Sequence, residues 1–340
     1  MLRRIVSLSA LGLVLSAVAP AARANDGYYG GDGASPMPMA TTDIRMAAEH
    51  VVLRWDPKRE SWEVTCDFTF ANDADRPIAA TIGFPFPVVH GDEGDIIVPA
   101  GGKRPAEGRP LVWNFKTRVD GRPVKVRETR TLTNPELPDV SYEFAYVWEA
   151  TFPPKGTLRI QNTYRHGRSG SVGGDEWARY VLMTGTLWKG GRIGKATLEV
   201  LVPDRRRVPC PADVRTDMAH VQPAGGKLTQ DAAGFQVRWE LEAFQPKGDL
   251  WVCMMDLDAL ASQRAWELGE ADLGAMDAEA LRLARNEVYA RYGYVFQDPA
   301  LAEHFGREWW YRPDPGFKAA RLPREARQVV QRIKAEEARR

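Results

Sequence analysis

Near residue 258 the hydrophobic period of the chain changes, and this limits the possible folds more than any other feature of the sequence. From Asp43 to about Asp256 apolar and polar residues alternate, as in antiparallel sheets packed on a single face. Tyr142, Phe144, Tyr146 and Trp148 alternate with Glu143, Ala145, Val147 and Glu149, and Leu158, Ile160 and Tyr164 alternate with Arg159, Gln161 and Arg165. Turn residues separate the runs at Asn72-Asp73, Asp120-Gly121, Gly190-Gly191 and Gly225-Gly226. About a dozen strands are expected, which fits one or two β-sandwiches and excludes an α/β fold. Beyond Asp258 the spacing becomes helical. Ala259 to Leu268 reads as a first helix with Asp258 as its cap. Asp277 caps a second helix, on which Leu281, Ala284, Val288 and Tyr292 form an apolar stripe before Gly293 stops it. Asp298-Pro299 starts another helix, and Leu322 to Ala338 forms the last, burying Val329, Val330 and Ile333. The expected fold is therefore a mostly β N-terminal region followed by a small α-helical C-terminal domain.

The first 24 residues have a different character. Arg3 and Arg4 precede an apolar stretch of 15 residues, Ile5 to Ala19, and Ala22-Arg23-Ala24 supplies a small-x-small cleavage site. This is the pattern of a secretory signal peptide cleaved after Ala24, too short to span a bilayer, and it implies a periplasmic or extracellular location with no transmembrane helix in the mature chain. The oxidising compartment permits disulfides, and Cys66, Cys210 and Cys253 allow one bond in three pairings. Cys66 and Cys253 lie in apolar runs that suit buried thiols as well as a bridge, while Cys210, between Pro209 and Pro211, reads as more exposed. With 46 Lys plus Arg against 45 Asp plus Glu, the chain lacks the basic excess of a nucleic-acid binder. The last twenty residues are locally basic, with seven Arg and Lys against three Glu, which makes them the expected place for any electrostatic partner.

Arg285-Asn286-Glu287-Val288-Tyr289-Ala290-Arg291-Tyr292-Gly293, followed by Phe296, Asp298-Pro299, Phe305 and Trp310-Tyr311-Arg312-Pro313, resembles the YARHG domain of exported bacterial proteins. The family's eponymous His is Tyr292 here. The resemblance implies a small helical domain in contact with the cell wall or envelope. Gly30-Gly31, Asp43-Ile44-Arg45-Met46, Phe84-Pro85-Phe86-Pro87 and the run Tyr180 to Gly190 resemble an exported bacterial β-sandwich domain of unknown function. The implied organisation is a signal peptide (1–24), a β-sandwich region (25–256), a helical linker (257–271) and a YARHG-like domain (272–340).

No complete catalytic motif is found. Gly190-Gly191-Arg192-Ile193-Gly194-Lys195-Ala196 lacks the first Gly and the Ser or Thr of a phosphate loop, and Gly167 to Gly174 lacks the spacing of a nucleophile elbow. His90, Asp92, Glu93 and Asp95 place four potential metal ligands within six residues, but in no EF-hand spacing. Asp256 and Asp258 form a carboxylate pair, with helix capping the simpler role for Asp258. The candidate ligand-binding residues are Arg285, Asn286, Tyr289, Arg291, Tyr292, Trp309, Trp310 and Tyr311, because aromatic faces stack on sugars and Asn and Arg bind hydroxyls and peptide carboxylates. Core packing competes for the aromatics, and pairing with Glu287 competes for Arg291. The expectation is an exported binding protein without cofactor that contacts peptidoglycan or another envelope protein. The alternatives are an envelope hydrolase using paired carboxylates such as Asp92, Glu93 or Asp256, and a purely structural module.

Overall fold

The computed structural model describes residues 26–30, 37–88, 96–97, 105–170, 174–212 and 220–340. The signal-peptide reading of 1–24 and the His90, Asp92, Glu93 and Asp95 group lie outside the described residues. In chain order the strands are β1 (Gly27–Gly30), β2 (Met37–Pro38), β3 (Ile44–Asp56), β4 (Ser61–Asn72), β5 (Ile78–Phe86), β6 (Ile96–Ile97), β7 (Val112–Val119), β8 (Arg122–Pro123), β9 (Arg127–Arg130) and β10 (Phe144–Phe152). They continue with β11 (Thr157–His166), β12 (Arg168–Gly170), β13 (Asp175–Tyr180), β14 (Ile193–Val202), β15 (Arg207–Pro209), β16 (Val221–Gln222), β17 (Lys227–Gln230), β18 (Phe235–Phe244) and β19 (Leu250–Asp256). Four helices follow, α1 (Leu257–Glu270), α2 (Ala278–Arg291), α3 (Pro299–Gly306) and α4 (Arg324–Glu337).

The strands form three sheets: β2-β1-β5-β10-β9, β17-β18-β14-β3-β4-β11-β7-β8 and β15-β19-β13-β12-β6. All ladders among the described residues are antiparallel except β3 with β14. β3 bulges around Ala47 in its pairing with β4, and there the backbone comes so close to Gly194 of β14 that a Cβ at Gly194 would lie 2.4 Å from the Ala47 carbonyl oxygen. Alternation sends Trp62, Val64, Cys66, Phe68 and Phe70 of β4 inward, against Phe84 and Phe86 of β5 and Trp148 and Phe152 of β10. One continuous apolar core takes side chains from all three sheets, including Tyr180, Leu250 and Met254. β10 departs from simple alternation, since Ala145 and Val147 are also buried, packed with Tyr29 of β1. A buried polar row crosses the same core: Thr117 Oγ1 donates to Asn162 Oδ1 at 2.8 Å, and Asn162 Nδ2 donates to Asp26 Oδ1 at 2.6 Å. Burial pushes the Asp26 carboxyl well above its ordinary range, with the Asn162 bond opposing it.

Cys210 and Cys253 form a disulfide with Cα atoms 5.4 Å apart, and Cys66 is a buried free thiol. The bridge ties β19 to the segment just after β15. The α1 cap is Asp256 rather than Asp258, because the Asp256 carboxylate accepts from the backbone N–H groups of Asp258 (2.9 Å) and Ala259 (3.2 Å). The helix consequently starts two residues earlier than its apolar stripe suggested. Asp277 and Asp298 cap α2 and α3 as expected, and Gly293 follows α2 with φ +90°, a conformation that only glycine adopts without cost.

His166 ends β11 between Trp62 and Tyr164, with ring centroids 6.3 and 6.1 Å away. Its Nδ1 lies 2.7 Å from the Gly167 carbonyl, which can only accept, so the proton sits on Nδ1. Burial lowers its pKa to about 4. A histidine held neutral in the fold and free to protonate when unfolded makes the native state weaker as pH falls from about 6.5 toward 4. Urea titrations at pH 7 and pH 5 check this: His166→Phe should lose up to about 2 kcal/mol less than the parent over that interval, and equal losses would contradict it.

Candidate functional site

Three consecutive arginines, between Pro203-Asp204 and the disulfide, join the β-region to the helices. Arg207 points into the β-region. Its guanidinium donates to Glu176 (3.0 and 3.4 Å), Asp204 (2.6 Å) and Asp256 (3.1 Å), and lies 4.3 Å from the Trp55 ring centroid. Trp55 Nε1 in turn donates to Asp204 Oδ2 at 3.1 Å, and Arg168 pairs with Glu176 at 2.6 Å. Burial acts to lower the Arg207 pKa, and the charges of Glu176, Asp256 and Asp204 outweigh it, holding the value above its ordinary range. Its two neighbours reach the other way. Arg206 donates to the Arg291 carbonyl at the end of α2 (2.8 Å) and pairs with Asp258 at the start of α1 (2.9 Å). Arg205 bonds the Pro313 carbonyl (2.7 Å) and Asp314 (2.8 Å). An apolar cluster completes the joint, with Val208, Met255 and Leu257 packed on Ala290, Phe296, Leu301, Phe305 and Trp310.

Within the helices, α2 buries two stripes. Leu281, Ala284 and Val288 pack with Ala326, Val329, Val330 and Ile333 of α4 and with Ala265 and Leu268 of α1, while Ala290 faces Phe296, Phe305 and Trp310. Between the stripes a cleft of about 400 Å³ opens among α1, α2, α3 and the loop after α3. Leu268, Met276, Ala280, Leu283 and Phe305 give it an apolar floor, with His304 and Glu308 also in the lining. One wall is a charged row. Glu287 accepts from Arg264 (3.1 and 3.1 Å) on one side and from Arg291 (2.9 and 2.8 Å) on the other, and the Arg291 guanidinium lies 4.1 Å from the Trp310 ring centroid. The hydrogen bonds that Arg264 donates to Glu287 raise its pKa above the ordinary value. Carboxyl or hydroxyl groups can reach Arg264 here, while Trp310 and Phe305 are buried in the packed joint and Arg291 covers the Trp310 face.

Of the eight residues proposed from the sequence, Arg291 and Trp310 meet in this cleft. The others point elsewhere, because one residue along a helix turns the side chain by about 100°. Arg285 pairs with Glu337 of α4 at 2.6 Å, and Asn286 Nδ2 donates to the Arg282 carbonyl at 2.8 Å. Tyr289 and Tyr292 pack against the core of α1, α2 and α4, and burial raises the Tyr292 pKa. Tyr311 donates its hydroxyl to the Tyr294 carbonyl at 2.7 Å, with its ring near Phe296 and Phe305. Trp309 stays 36% exposed. Sequence reasoning missed Arg264, His304 and Glu308, which come from other segments, and Trp266, which is 68% exposed on α1. Asp256 and Asp258 are bound by different arginines, Arg207 and Arg206, and do not face a shared cleft. No group of three or more potential metal ligands is found among the described residues.

The basic residues near the C-terminus largely close helix ends. Arg332 donates to the carbonyls of Leu268 (3.3 Å), Ala271 (2.9 Å) and Gly269 at the end of α1, and Arg340 to those of Leu273 (3.3 Å) and Gly274 (2.9 Å). Arg327 bonds the Leu322 carbonyl at 2.6 Å, and Arg339 pairs with Glu336 at 3.1 Å. Arg321, Arg324 and Lys334 remain exposed.

Two family models match the chain: the YARHG domain over residues 259–338 and a domain of unknown function, DUF4424, over residues 24–134. Among solved structures, a protein of Legionella pneumophila, provisionally described as a nutrient binding protein, aligns with 31% identity and a TM-score of 0.75, over 92% of this chain and 100% of its own. An M1 zinc metallopeptidase from Deinococcus radiodurans aligns with 11% identity and a TM-score of 0.30, over 64% of this chain and 43% of its own, too weak a likeness to carry any argument. No curated protein matches. The Arg207 cluster sets a direct expectation: Arg207→Met leaves Glu176 and Asp256 buried with fewer cations, and should cost about 3–5 kcal/mol in urea unfolding. A loss under about 1 kcal/mol would contradict the pairing.

Proposed function

Because the chain belongs to the family of the Legionella pneumophila protein, with a DUF4424 region ahead of a YARHG domain, we propose that it is an exported, non-catalytic binding protein whose helical domain holds an envelope ligand, with the muropeptide units of peptidoglycan as the leading candidate. The observation that carries this reading is the cleft beside Trp310. It combines an apolar floor with a guanidinium–carboxylate–guanidinium row. Its acid and base groups are Glu287, His304 and Glu308, and Glu287 is already held between two arginines. Fixed guanidinium groups beside an apolar floor suit a ligand that carries carboxylates and hydroxyls.

Three other observations support export and binding. The leader pattern of residues 1–24 is that of a secretory signal, and the Cys210–Cys253 disulfide suits an oxidising compartment. No helix among the described residues is long and apolar enough to cross a membrane. The Legionella pneumophila protein is described as a nutrient binding protein, which supports a binding role for this chain. Trp266 and Trp309 add exposed indoles on the same domain, side chains that favour interfaces.

Co-sedimentation of the mature chain with insoluble peptidoglycan tests the proposal. The parent chain should be recovered with the pellet. Arg264→Ala and His304→Ala, which alter accessible side chains lining the cleft, should each reduce the bound fraction about tenfold at limiting peptidoglycan. Recovery of both variants equal to the parent, with unchanged melting temperatures, would sink the peptidoglycan reading.

A further inference from the structure

Near the C-terminus Arg327, Arg332, Arg339 and Arg340 are engaged with carbonyls or acids, which leaves Arg321, Arg324 and Lys334 exposed. Between Pro105 and Arg130 the chain carries seven Lys and Arg against three Asp and Glu, an excess hidden by the acidity of the remaining β-region. This stretch forms β7, β8 and β9, and it crosses from the edge of the eight-stranded sheet to the edge of the five-stranded sheet, closing one side of the β-region. Its alternation fixes which side chains face out. Val119, Val124 and Val126 pack against the core. Lys116, Arg118, Arg122, Lys125, Arg127 and Arg130 are exposed, and none of the six has an ion pair among the described residues. Two of the three acids are already engaged: Glu128 pairs with Arg109 at 2.5 Å, and Asp120 accepts from the backbone N–H of Arg159 at 2.9 Å. Glu107 and Asp120 are both exposed and have no ion pair among the described residues. At the end of this segment a hollow of about 440 Å³ is lined by Glu107, Arg109, Glu128, Thr129, Arg130 and Phe144, so two acids face two arginines there.

We propose that this ribbon is a docking surface for a linear acidic polysaccharide. The cations follow one extended segment along the edges of two sheets. Alternate residues of an extended segment stand about 7 Å apart on one side, so Lys116 with Arg118 and Lys125 with Arg127 present charge at a repeat suited to an extended charged chain. Unpaired guanidinium and ammonium groups bind carboxylate, sulfate or phosphate ester groups, and the hollow beside Arg109 and Arg130 has room for a sugar ring. A membrane fits less well, since Leu132 is the one strongly exposed large apolar side chain next to the segment among the described residues, too little to insert. Single-stranded nucleic acid also fits less well, because no exposed large aromatic lies on the ribbon to stack bases. The surface is separate from the cleft of the helical domain and stands independently of what that cleft binds.

Isothermal titration of the full mature chain with dextran sulfate and with polygalacturonate tests the assignment, with neutral dextran as the control. Both acidic polymers should bind and neutral dextran should not, with affinity for the acidic polymers falling about tenfold or more between about 50 and about 200 mM salt. The charge reversal Lys125→Glu/Arg127→Glu should weaken binding at least about tenfold without moving the melting temperature, because both side chains are exposed. The matching reversal Arg324→Glu/Lys334→Glu on α4 should leave binding unchanged. The proposal is overturned by absence of binding, by parent-like binding of the ribbon variant, by an equal loss in the α4 variant, or by tighter binding to phosphatidylglycerol vesicles or an oligothymidylate than to either polysaccharide.

Discussion

The burial of Arg207 is the interaction on which the rest of the structure depends. A guanidinium held among Glu176, Asp204 and Asp256 is tolerable in a low-dielectric interior only with all of those partners in place. Each partner belongs to a different part of the fold. Glu176 comes from β13, Asp204 from the turn after β14, and Asp256 from the last residue of β19, where its other oxygen caps α1. Satisfying one charge thus sets where the β-region ends and where the helices begin. With Arg207 fixed, Arg206 and Arg205 on the same short segment face the helices, and they bond the end of α2 and the loop at Pro313.

The helical domain follows from that placement. Seventy to eighty residues supply little core of their own, so part of the apolar surface of α2 and α3 must be covered from outside. Val208, Met255 and Leu257 provide that cover, close to the Cys210–Cys253 disulfide. The cleft is what remains between the two packed stripes of α2. Its polar wall is ordered because Glu287 has a guanidinium on each side and Arg291 is also held against Trp310. Such a wall is preorganised, which lowers the entropy lost when a ligand is held.

Much of the architecture was legible in the sequence, because periodicity reports burial directly. The change near residue 258, the caps Asp277 and Asp298, the stop at Gly293 and the pairing of Arg291 with Glu287 all depend on residues within a few positions of one another. The disulfide partner of Cys253 was not legible, since nothing local distinguishes three pairings. Asp258 was read as the α1 cap because it sits next to the apolar stripe, whereas Asp256 is held in place by Arg207 from 49 residues away. The candidate site was half legible for the same reason. Arg291 and Trp310 meet, but Arg264 reaches Glu287 from 23 residues earlier on another helix, and Arg285, Asn286 and Tyr289 turn to other faces of α2. The run Arg205-Arg206-Arg207 beside Asp204 was a visible signal of unusual charge, but its division between two regions is a property of the tertiary fold.

Charge shows the same dependence on context. The C-terminal basic residues look free in the sequence, yet several end on backbone carbonyls, while the ribbon of β7 to β9 keeps its cations exposed. The arginine segment makes the most direct demand on the whole account, because it claims that two unlike regions unfold as one unit. Differential scanning calorimetry of the mature chain measures this. A single transition is predicted, with calorimetric and van't Hoff enthalpies in agreement, and Arg205→Ala/Arg206→Ala should split it into two. Two transitions in the parent chain, or one unchanged transition in the variant, would contradict it.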